Sequence, residues 1–447
     1  MASGKSSGRA SRRGRARNTH SLEALGPLPP CPAVPPRSIS LSANLGTALV
    51  GTGLVLAAIA APASADWTPL APFAGAGSIG SPGGTHPITI DGETVHAVYM
   101  QRGRLYYRRS TDAGVTWTHP VALTRGGTAQ YPCSIELAGG TLHLFWPDSR
   151  DNRWEVYHKR STDGGDTWGR DVALTHGTDL FRMGTAVSGT DLHVVWGTKR
   201  LLNKTPGGTH TWGEIYYTRS RDAGLTWTRE MRLTEPQATA MRPSVAVSGK
   251  HVHVTWFDRR HSKLDWDWDA YARRSTDGGG TWDPDVRMSH TPTHTRHPQV
   301  IATGRTVCCI WEDGQVFDGV KTWSGDPALY AAVSTDNGKT WGKPRRITRI
   351  NAPNGWATHA KSFACGTRIH LAWTDWPERP SGQRATYYMT SPDGGLTWDP
   401  PQRLTAPNDG DCWAAGVAGT EAYAIVLVSR GDTLLYRRRK LPATAKR

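Results

Sequence analysis

The sequence contains no long amphipathic helical stripe, no C-x-x-C pair and, within its repeated part, no basic block of the kind that binds nucleic acid. The first absence disfavours a helical fold. Five cysteines follow residue 65, and an odd number without paired spacing argues against a disulfide framework or a zinc site. We therefore expect buried thiols and predict no metal, no cofactor and no nucleic acid partner. The five are Cys133, Cys308, Cys309, Cys365 and Cys412.

Tryptophan (20 residues) and glycine (49 residues) are abundant in this chain of 447 residues. Such a composition is typical of many short strands joined by tight turns. The length would suit two or three average domains, but a closed ring of repeats can use all of it as one.

The first 65 residues differ from the rest. An Arg-rich start and a Pro-rich stretch precede an apolar segment, residues 45–61, and an Ala-Ser-Ala site at residues 63–65. This order predicts a secretory signal of bacterial type cleaved after Ala65, with a membrane anchor as the alternative. Without this leader the chain has 46 basic and 37 acidic residues, a net charge of +9 instead of +15. That excess favours anionic ligands, or it reflects only a solvated basic surface.

An eight-residue phrase, Ser-x-Asp-x-Gly-x-x-Trp, recurs six times and is called the box below. Successive box serines are 51, 59, 55, 59 and 57 residues apart, which indicates repeated supersecondary units. The boxes occupy residues 110–117, 161–168, 220–227, 275–282, 334–341 and 391–398.

Each repeat reads as four short strands, A to D, with the box in the C–D turn. This pattern predicts an all-β propeller built from four-stranded antiparallel blades. Within the box, Ser and Asp can bond the turn's N–H groups at about 1 kcal/mol each. The Trp can bury roughly 200 Å², or up to about 5 kcal/mol. We therefore interpret the box as structural and its aspartates as non-catalytic.

The blade count follows from the chain ends. After the last box the sequence repeats strands A, B and C and then stops, while the segment from Trp67 to Phe73 resembles a D strand. We predict a seven-bladed propeller over residues 66–440, closed by this N-terminal strand, and a basic tail at residues 441–447. Six blades with extra strands is the alternative.

The B strands carry a histidine at one shared position in five repeats. Because the blades spread around a ring, these histidines cannot converge on a metal, and we interpret them as structural. They are His96, His143, His193, His253 and His370.

One residue per blade is predicted at the channel mouth, where strand A begins. Arg, His and Tyr dominate this set, which indicates either a mouth that binds anions or sugars, or simply a polar, water-filled channel. The set is His86, Tyr131, Arg182, Arg242, His297, His359 and Cys412.

The loops that follow the B strands add carboxylates and aromatics. Asp148, Asp258, Asp313 and Asp375 each lie two residues past the B-strand aromatic, and they are either acid–base groups or turn-forming residues. The longest of these loops lie in blades 3–6, where aromatic side chains can stack on sugar faces. They carry Trp212, Trp266, Trp268, Trp323 and Trp376.

The boxes, their position after Y-x-x-S strands and the leader resemble the bacterial neuraminidase repeat (BNR or Asp-box) family of sialidase-like propellers. Phe181-Arg182-Met183-Gly184 is similar to the family's Phe-Arg-Ile-Pro motif. The resemblance implies three arginines that hold a sialic acid carboxylate, here Arg182, Arg242 and Arg296. It also implies a Tyr nucleophile and an Asp acid/base, for which Tyr131 and Asp148 or Asp258 are the candidates.

Three functions are consistent with these patterns. The first is a secreted exo-α-sialidase-like glycosidase that acts on an acidic glycan as a monomer, with His86, His297, His359 and the loop tryptophans binding the substrate. The second is a secreted carbohydrate- or protein-binding propeller without catalysis. The third is a hydrolase of neutral plant polysaccharide, which would not need the arginines.

Overall fold

The computed structural model describes the repeated part of the chain. The described residues are 66–75, 78–79, 86–126, 128–129, 132–177, 180–198, 213–235, 240–261, 268–291, 293–317, 323–348, 356–376 and 382–441. Within them every regular element is a strand, and no helix is long and apolar enough to cross a membrane. The predicted leader, residues 1–65, lies outside them.

In the part of the chain that the structure describes, 29 strands form seven antiparallel sheets, one per blade. Blade 1 contains β2 (Ser78–Ile79), β3 (Ile88–Asp91), β4 (Thr94–Gln101), β5 (Arg104–Ser110) and β6 (Val121–Ala122). Blade 2 contains β7 (Ser134–Ala138), β8 (Thr141–Asp148), β9 (Glu155–Ser161) and β10 (Val172–Ala173). Blade 3 contains β11 (Leu180–Ser188), β12 (Asp191–Thr198), β13 (Ile215–Ser220) and β14 (Met231–Arg232). Blade 4 contains β15 (Met241–Ser248), β16 (His251–Asp258), β17 (Asp269–Ser275) and β18 (Val286–Arg287).

The remaining blades follow the same order. Blade 5 contains β19 (His294–Thr303), β20 (Thr306–Phe317), β21 (Trp323–Ser334) and β22 (Arg345–Arg346). Blade 6 contains β23 (Ala357–Cys365), β24 (Arg368–Asp375), β25 (Ala385–Ser391) and β26 (Gln402–Arg403). Blade 7 contains β27 (Cys412–Gly419), β28 (Tyr423–Arg430), β29 (Thr433–Lys440) and the N-terminal strand β1 (Ala71–Ala74).

The predicted seven-bladed propeller and its closure are confirmed. β1 pairs antiparallel with β29, with Ala71 opposite Tyr436, and an isolated bridge joins Trp67 to Arg439. Each A strand contacts the A strand of the next blade, and β27 of blade 7 returns to β3 of blade 1. The seven A strands therefore surround the central channel.

Packing between blades explains why the B strands are apolar on both faces. A B strand lies in the middle of its sheet, and the neighbouring blades cover both faces of that sheet, so alternation of polar and apolar residues is lost. Five B-strand indoles are completely buried: Trp146, Trp196, Trp256, Trp311 and Trp373.

The boxes form compact turns held by their own side chains. In the first box the Ser110 hydroxyl donates to Asp112 (2.7 Å) and accepts from the Gly114 N–H (2.8 Å), while the Thr116 N–H donates to Asp112 (2.9 Å). These donors lower the pKa of Asp112 to about 2, although its slight burial acts in the opposite direction. The carboxylate thus remains ionised as part of the turn.

The B-strand histidines are buried and serve the packing. Nδ1 lies 2.7 Å from a tyrosine hydroxyl in three blades, in the pairs His96–Tyr107, His193–Tyr217 and His370–Tyr388. Burial lowers the pKa of all three imidazoles, so they are neutral at pH 7. The five cysteines after residue 65 are free thiols, and all except the half-buried Cys365 are buried.

Candidate functional site

A bulge at the start of strand A presents one side chain to the channel mouth in each of blades 4, 5 and 6. Two residues of strand A there oppose a single residue of strand B. The first of the two has a left-handed φ: 51° at Arg242, 48° at His297 and 53° at His359. Non-glycine residues pay about 1–3 kcal/mol for such a conformation, and it is commonly retained at functional sites.

These residues line a pocket at the channel mouth together with the start of blade 3. Arg182 lies beside a register shift in β11, where one extra residue of strand A lies between Leu180 and Arg182. The imidazoles of His297 and His359 are 5.4 Å apart between ring centroids. The pocket is lined by Pro132, Arg182, Met183, Arg242, Pro243, His297, Pro298, Gln299, His359 and Ala360.

Glu312, in β20, is the carboxylate beside these histidines. It accepts from His297 Nδ1 (2.7 Å), the Thr358 hydroxyl (2.9 Å) and the backbone N–H of His359 (2.7 Å), and so links blades 5 and 6. Burial alone would raise the pKa of Glu312, but His297 and the other donors lower it to about 2. Glu312 is therefore an anion at neutral pH.

Cations nevertheless outnumber this carboxylate. Burial and the nearby Arg182 lower the pKa of Arg242 to about 9. Lys361, 2% exposed, lies on β23 near both arginines, and burial followed by these two charges lowers its pKa to about 7. Like charges held together away from water favour an anionic ligand, because it offsets both their mutual repulsion and their loss of hydration.

An aromatic wall extends from this pocket across blades 6 and 7. Trp413 meets His359 edge to face, with centroids 5.1 Å apart. The Arg384 guanidinium lies 4.1 Å from the Trp413 ring and 4.5 Å from the Trp376 ring, and it bonds Asp411 at 2.8 Å. In blade 7 the residue expected at the mouth, Cys412, is fully buried, and Trp413 is the residue that contacts the histidine.

The two predicted catalytic aspartates lie in different blades and hold their own loops. Asp148 is buried and accepts from Arg150 Nη2 (2.6 Å) and Trp146 Nε1 (3.1 Å). Asp258 is buried and accepts from Arg260 Nε (2.9 Å) and Nη2 (2.7 Å). Burial would raise the pKa of Asp148, but its hydrogen bonds lower it. Their acid–base role stays a prediction.

The other predicted residues are distributed along the channel and the loops. His86 lies against Glu136, 2.9 Å from Nδ1 to Oε1, in a separate part of the channel, and this carboxylate outweighs burial and raises the pKa of His86. Arg296 is in register with Glu312 and its charge acts on Arg242. Trp268 is buried against Phe257.

For four predicted residues the structure gives little or no information. Trp323 is the first residue of β21. Tyr131 and Trp266, like Trp212, lie outside the described residues.

Glu312, Lys361 and Trp413 are site residues that the sequence reasoning missed. Glu312 left a detectable signal, because it is an acidic residue directly after the B-strand aromatic in Trp311-Glu312-Asp313, where blades 1, 2, 3, 4 and 6 have Met, Pro, Gly, Phe and Thr. Lys361 and Trp413 left none, since each is an isolated residue in an ordinary strand A.

The seven blades and their six boxes define a propeller of Asp-box repeats, and a family comparison agrees. Residues 104–317 match the model of the BNR repeat-like domain. Residues 104–317 therefore carry a BNR repeat-like domain, as the boxes predicted. No curated protein sequence matches it.

Solved structures share the fold at low identity. The polysaccharide lyase Uly1 is 10% identical, with a TM-score of 0.52 over 80% of this chain and 90% of the lyase. Trypanosoma rangeli sialidase is 13% identical, with a TM-score of 0.42 over 71% of this chain and 56% of the sialidase. A Penicillium chrysogenum α-L-arabinanase complexed with arabinobiose is 14% identical, with a TM-score of 0.42 over 70% and 93%. The match thus spans little more than half of the sialidase.

Proposed function

We propose that the channel mouth binds the carboxylate of an acidic sugar in a glycan. The observation that carries this proposal is the cluster of the half-buried Arg182 and Arg242 with the buried Lys361, whose charges exceed that of Glu312. Guanidinium groups bind carboxylates through paired hydrogen bonds. The aromatic wall around Trp413 supplies a face on which a sugar ring can stack.

For catalysis we propose exo-α-sialidase-type hydrolysis, with Tyr131 as nucleophile and Asp148 or Asp258 as acid/base. The support is the BNR repeat-like domain together with the arginine cluster. To act as the acid, either aspartate must separate from its arginine partner and take up a proton during turnover. Arg150 and Arg260 are therefore part of this proposal.

The first experiment measures both binding and turnover. Calorimetric titration of the protein with sialic acid, a uronic acid and a neutral hexose should show binding of acidic sugars only. Release of a fluorescent leaving group from an α-sialoside should show turnover. An unsaturated product from a uronate polymer would instead indicate elimination, and turnover of neutral polysaccharide would indicate the third predicted function.

Variants identify the site. Arg242→Ala should weaken acidic sugar binding at least about tenfold, the loss expected for a charge-assisted hydrogen bond of 1.5–3 kcal/mol. Arg219→Ala is the matched control, because Arg219 bonds a box carbonyl of the next blade and not the pocket. Equal affinity in Arg242→Ala and the parent protein would contradict the proposed site.

A non-catalytic glycan-binding propeller is the second candidate. It is favoured by the ionised state of Glu312, which leaves this carboxylate without a proton to donate, and by the ion pairs that hold Asp148 to Arg150 and Asp258 to Arg260. Binding of acidic sugars without turnover of any glycoside would establish this candidate in place of hydrolysis.

We also propose that the protein is secreted after cleavage behind Ala65, on the strength of the Ala-Ser-Ala site that follows the apolar segment. N-terminal sequencing of protein from the culture medium should begin at Asp66. Full-length chain retained in the membrane fraction would favour an anchor.

A further inference from the structure

Tyrosines fill the space between blades at a recurring position on strand C. Tyr107, Tyr217 and Tyr388 each bond the B-strand histidine of their own blade at 2.7 Å. Tyr107 and Tyr217 also pack against the box tryptophan of the next blade, with ring centroids 5.4 Å from Trp168 and 5.1 Å from Trp282. One phenol ring thus bonds Nδ1 of the histidine and fills the interface between blades.

Blade 4 keeps the histidine but lacks the tyrosine. Ala272, opposite Thr255 in the β16–β17 pairing, stands three residues before its box serine, as the tyrosines do in their blades. His253 is 2% exposed, and its Nε2, like that of His193 and His370, is buried without a hydrogen-bond partner among the described residues. Thr255 lies two residues further along β16 and therefore on the same face of the strand. Its buried hydroxyl also has no hydrogen-bond partner among the described residues.

A cavity of about 250 Å³ occupies this position between blades 4 and 5. Apolar groups form much of its wall, and charged residues lie around them. A cavity of about 150 Å³ suffices to bind benzene in another protein, so an aromatic ring fits here. The lining residues are His253, Ala272, Arg273, Arg274, Asp283, Pro284, Asp285, Val286, Val300, Gly338, Lys339 and Trp341.

The other blades without this tyrosine fill the space in another way. In blade 2 His158 takes the tyrosine's place and lies 3.0 Å from His143. Blade 5 has Cys308 in place of the histidine, and the box of blade 6 lies so close that a Cβ at Gly395 would be 2.6 Å from Cys308 Sγ. Blade 4 alone of these combines a buried histidine with an alanine.

We propose that the cavity between blades 4 and 5 is a binding site for a small phenolic ligand. The ring lies against Trp341 and Val300 in the space left by the missing tyrosine, and the hydroxyl bonds His253. Burial lowers the pKa of His253 to about 3, so its imidazole is neutral and offers one donor and one acceptor nitrogen. This site is separate from the channel mouth and does not depend on the proposed glycan binding.

The charged groups on one side of the cavity already have hydrogen-bond partners within the protein. Arg274 Nε bonds Asp283 at 2.6 Å, and Arg273 Nε bonds the Asp283 carbonyl at 2.6 Å. Asp285 bonds Arg260 at 2.7 Å, whereas Lys339 is exposed at the rim. A carboxylate in the para position of the phenol can reach this rim, so 4-hydroxybenzoate should bind more tightly than phenol.

Ligand-induced stabilisation tests the proposal with a matched set of variants. Phenol and 4-hydroxybenzoate should raise the Tm of the parent protein. Toluene, which lacks the hydroxyl, should need an at least about tenfold higher concentration for the same rise in Tm. Ala272→Tyr should raise the Tm without ligand and abolish the response. Tyr217→Ala should open an equivalent cavity beside His193 and increase the response.

A second measurement does not rely on any variant folding. A crystal of the parent protein soaked in 4-bromophenol should show anomalous bromine density between Ala272 and Trp341. Density there supports the proposal. Density only elsewhere, no density, or an Ala272→Tyr variant that folds and still responds to phenol like the parent protein would overturn it.

Discussion

Lys361 is a buried residue beside the channel mouth whose ionisation changes near neutral pH. It is buried near Arg182 and Arg242, and burial and these charges lower its pKa to about 7. Below this pH its ammonium group adds to the positive field of the pocket, and above it the amine is neutral. Glu312, Cys133 and the histidines at positions 86 and 359 also face it, but they do not restore the ordinary pKa.

We therefore predict that anion affinity falls as the pH rises through about 7. Lys361→Met should bind an acidic sugar more weakly than the parent protein at pH 6 and with little dependence on pH. Calorimetric titration at several pH values, in buffers of different ionisation enthalpy, should also show proton uptake on binding by the parent protein only.

The same lysine gives a signature in stability. Between its folded pKa of about 7 and its ordinary value of 10.5, the unfolded chain binds a proton that the folded chain does not, so stability should increase with pH across this window. Denaturant titrations of Lys361→Met should lack that increase. Identical pH profiles for the two proteins, in binding or in stability, would contradict the assignment.

At the scale of single elements, the strand A bulge places a side chain at the channel mouth, and the backbone there is strained. Arg242 has φ 51°, and Ala223, in a box turn far from the pocket, has the same φ of 51°. Glycine relieves this conformation in both places. The two positions therefore separate the effect on the backbone from the loss of the guanidinium.

Arg242→Gly should keep or increase stability while it weakens acidic sugar binding at least about tenfold. Ala223→Gly should increase stability by about 1 kcal/mol and leave binding unchanged. Denaturant midpoints and calorimetric titrations give the two quantities. A large loss of stability in Arg242→Gly would show that the arginine supports the fold. It would contradict the interpretation that its strained backbone is retained for ligand binding.

The packing of a box turn against the preceding blade gives a second prediction at the scale of single elements. A Cβ on Gly279 (φ +84°) would lie 1.9 Å from the Tyr217 hydroxyl of the preceding blade, whereas one on Gly249 (φ +57°) would meet nothing within 4 Å. Gly249→Ala should thus cost about 1–2 kcal/mol from its backbone alone. Gly279→Ala should cost at least about 1–3 kcal/mol more through overpacking. Equal unfolding free energies in urea would count against tight packing between blades.

The blades could be predicted from the sequence much better than the site. Box residues such as Ser110 and Trp117 recur at a fixed spacing, and B strands recur as apolar runs, so local pattern suffices to place them. Which side chains meet at the mouth depends on bulges that leave no mark in composition. Lys361 reads as an ordinary strand residue, and its chemistry arises only because the ring brings Arg182 and Arg242, from two other blades, close to it.

At the scale of the whole molecule, ring closure was predictable because both partial repeats were visible at the chain ends. The segment from Trp67 to Phe73 supplied the one strand that the last repeat lacked. In the structure β1 pairs with β29 through Ala71, Pro72 and Ala74. Closure leaves blade 7 without an open β29 edge, and it makes the stability of the whole ring depend on a short strand near the N-terminal end of the described residues.

Trp67 anchors this closing strand and gives the last prediction. Its indole is 4% exposed, packs against Tyr388 at 4.9 Å and donates to Gln402 at 3.0 Å. Trp67→Ala should therefore cost about 3–5 kcal/mol. Native-state hydrogen exchange should show the amides of β29 losing protection first, because they lose the strand they pair with.

Trp282→Ala, which removes a box tryptophan in blade 4, is the control for loss of an indole elsewhere. It should lower the global stability but leave the amides of β29 as protected as those of the other blades. Chain closure by β1 explains the difference, since a box indole stabilises one interface between blades whereas Trp67 holds the two ends of the ring together. If β29 remains fully protected in Trp67→Ala, the ring is held by its A strands and not by the N-terminal strand.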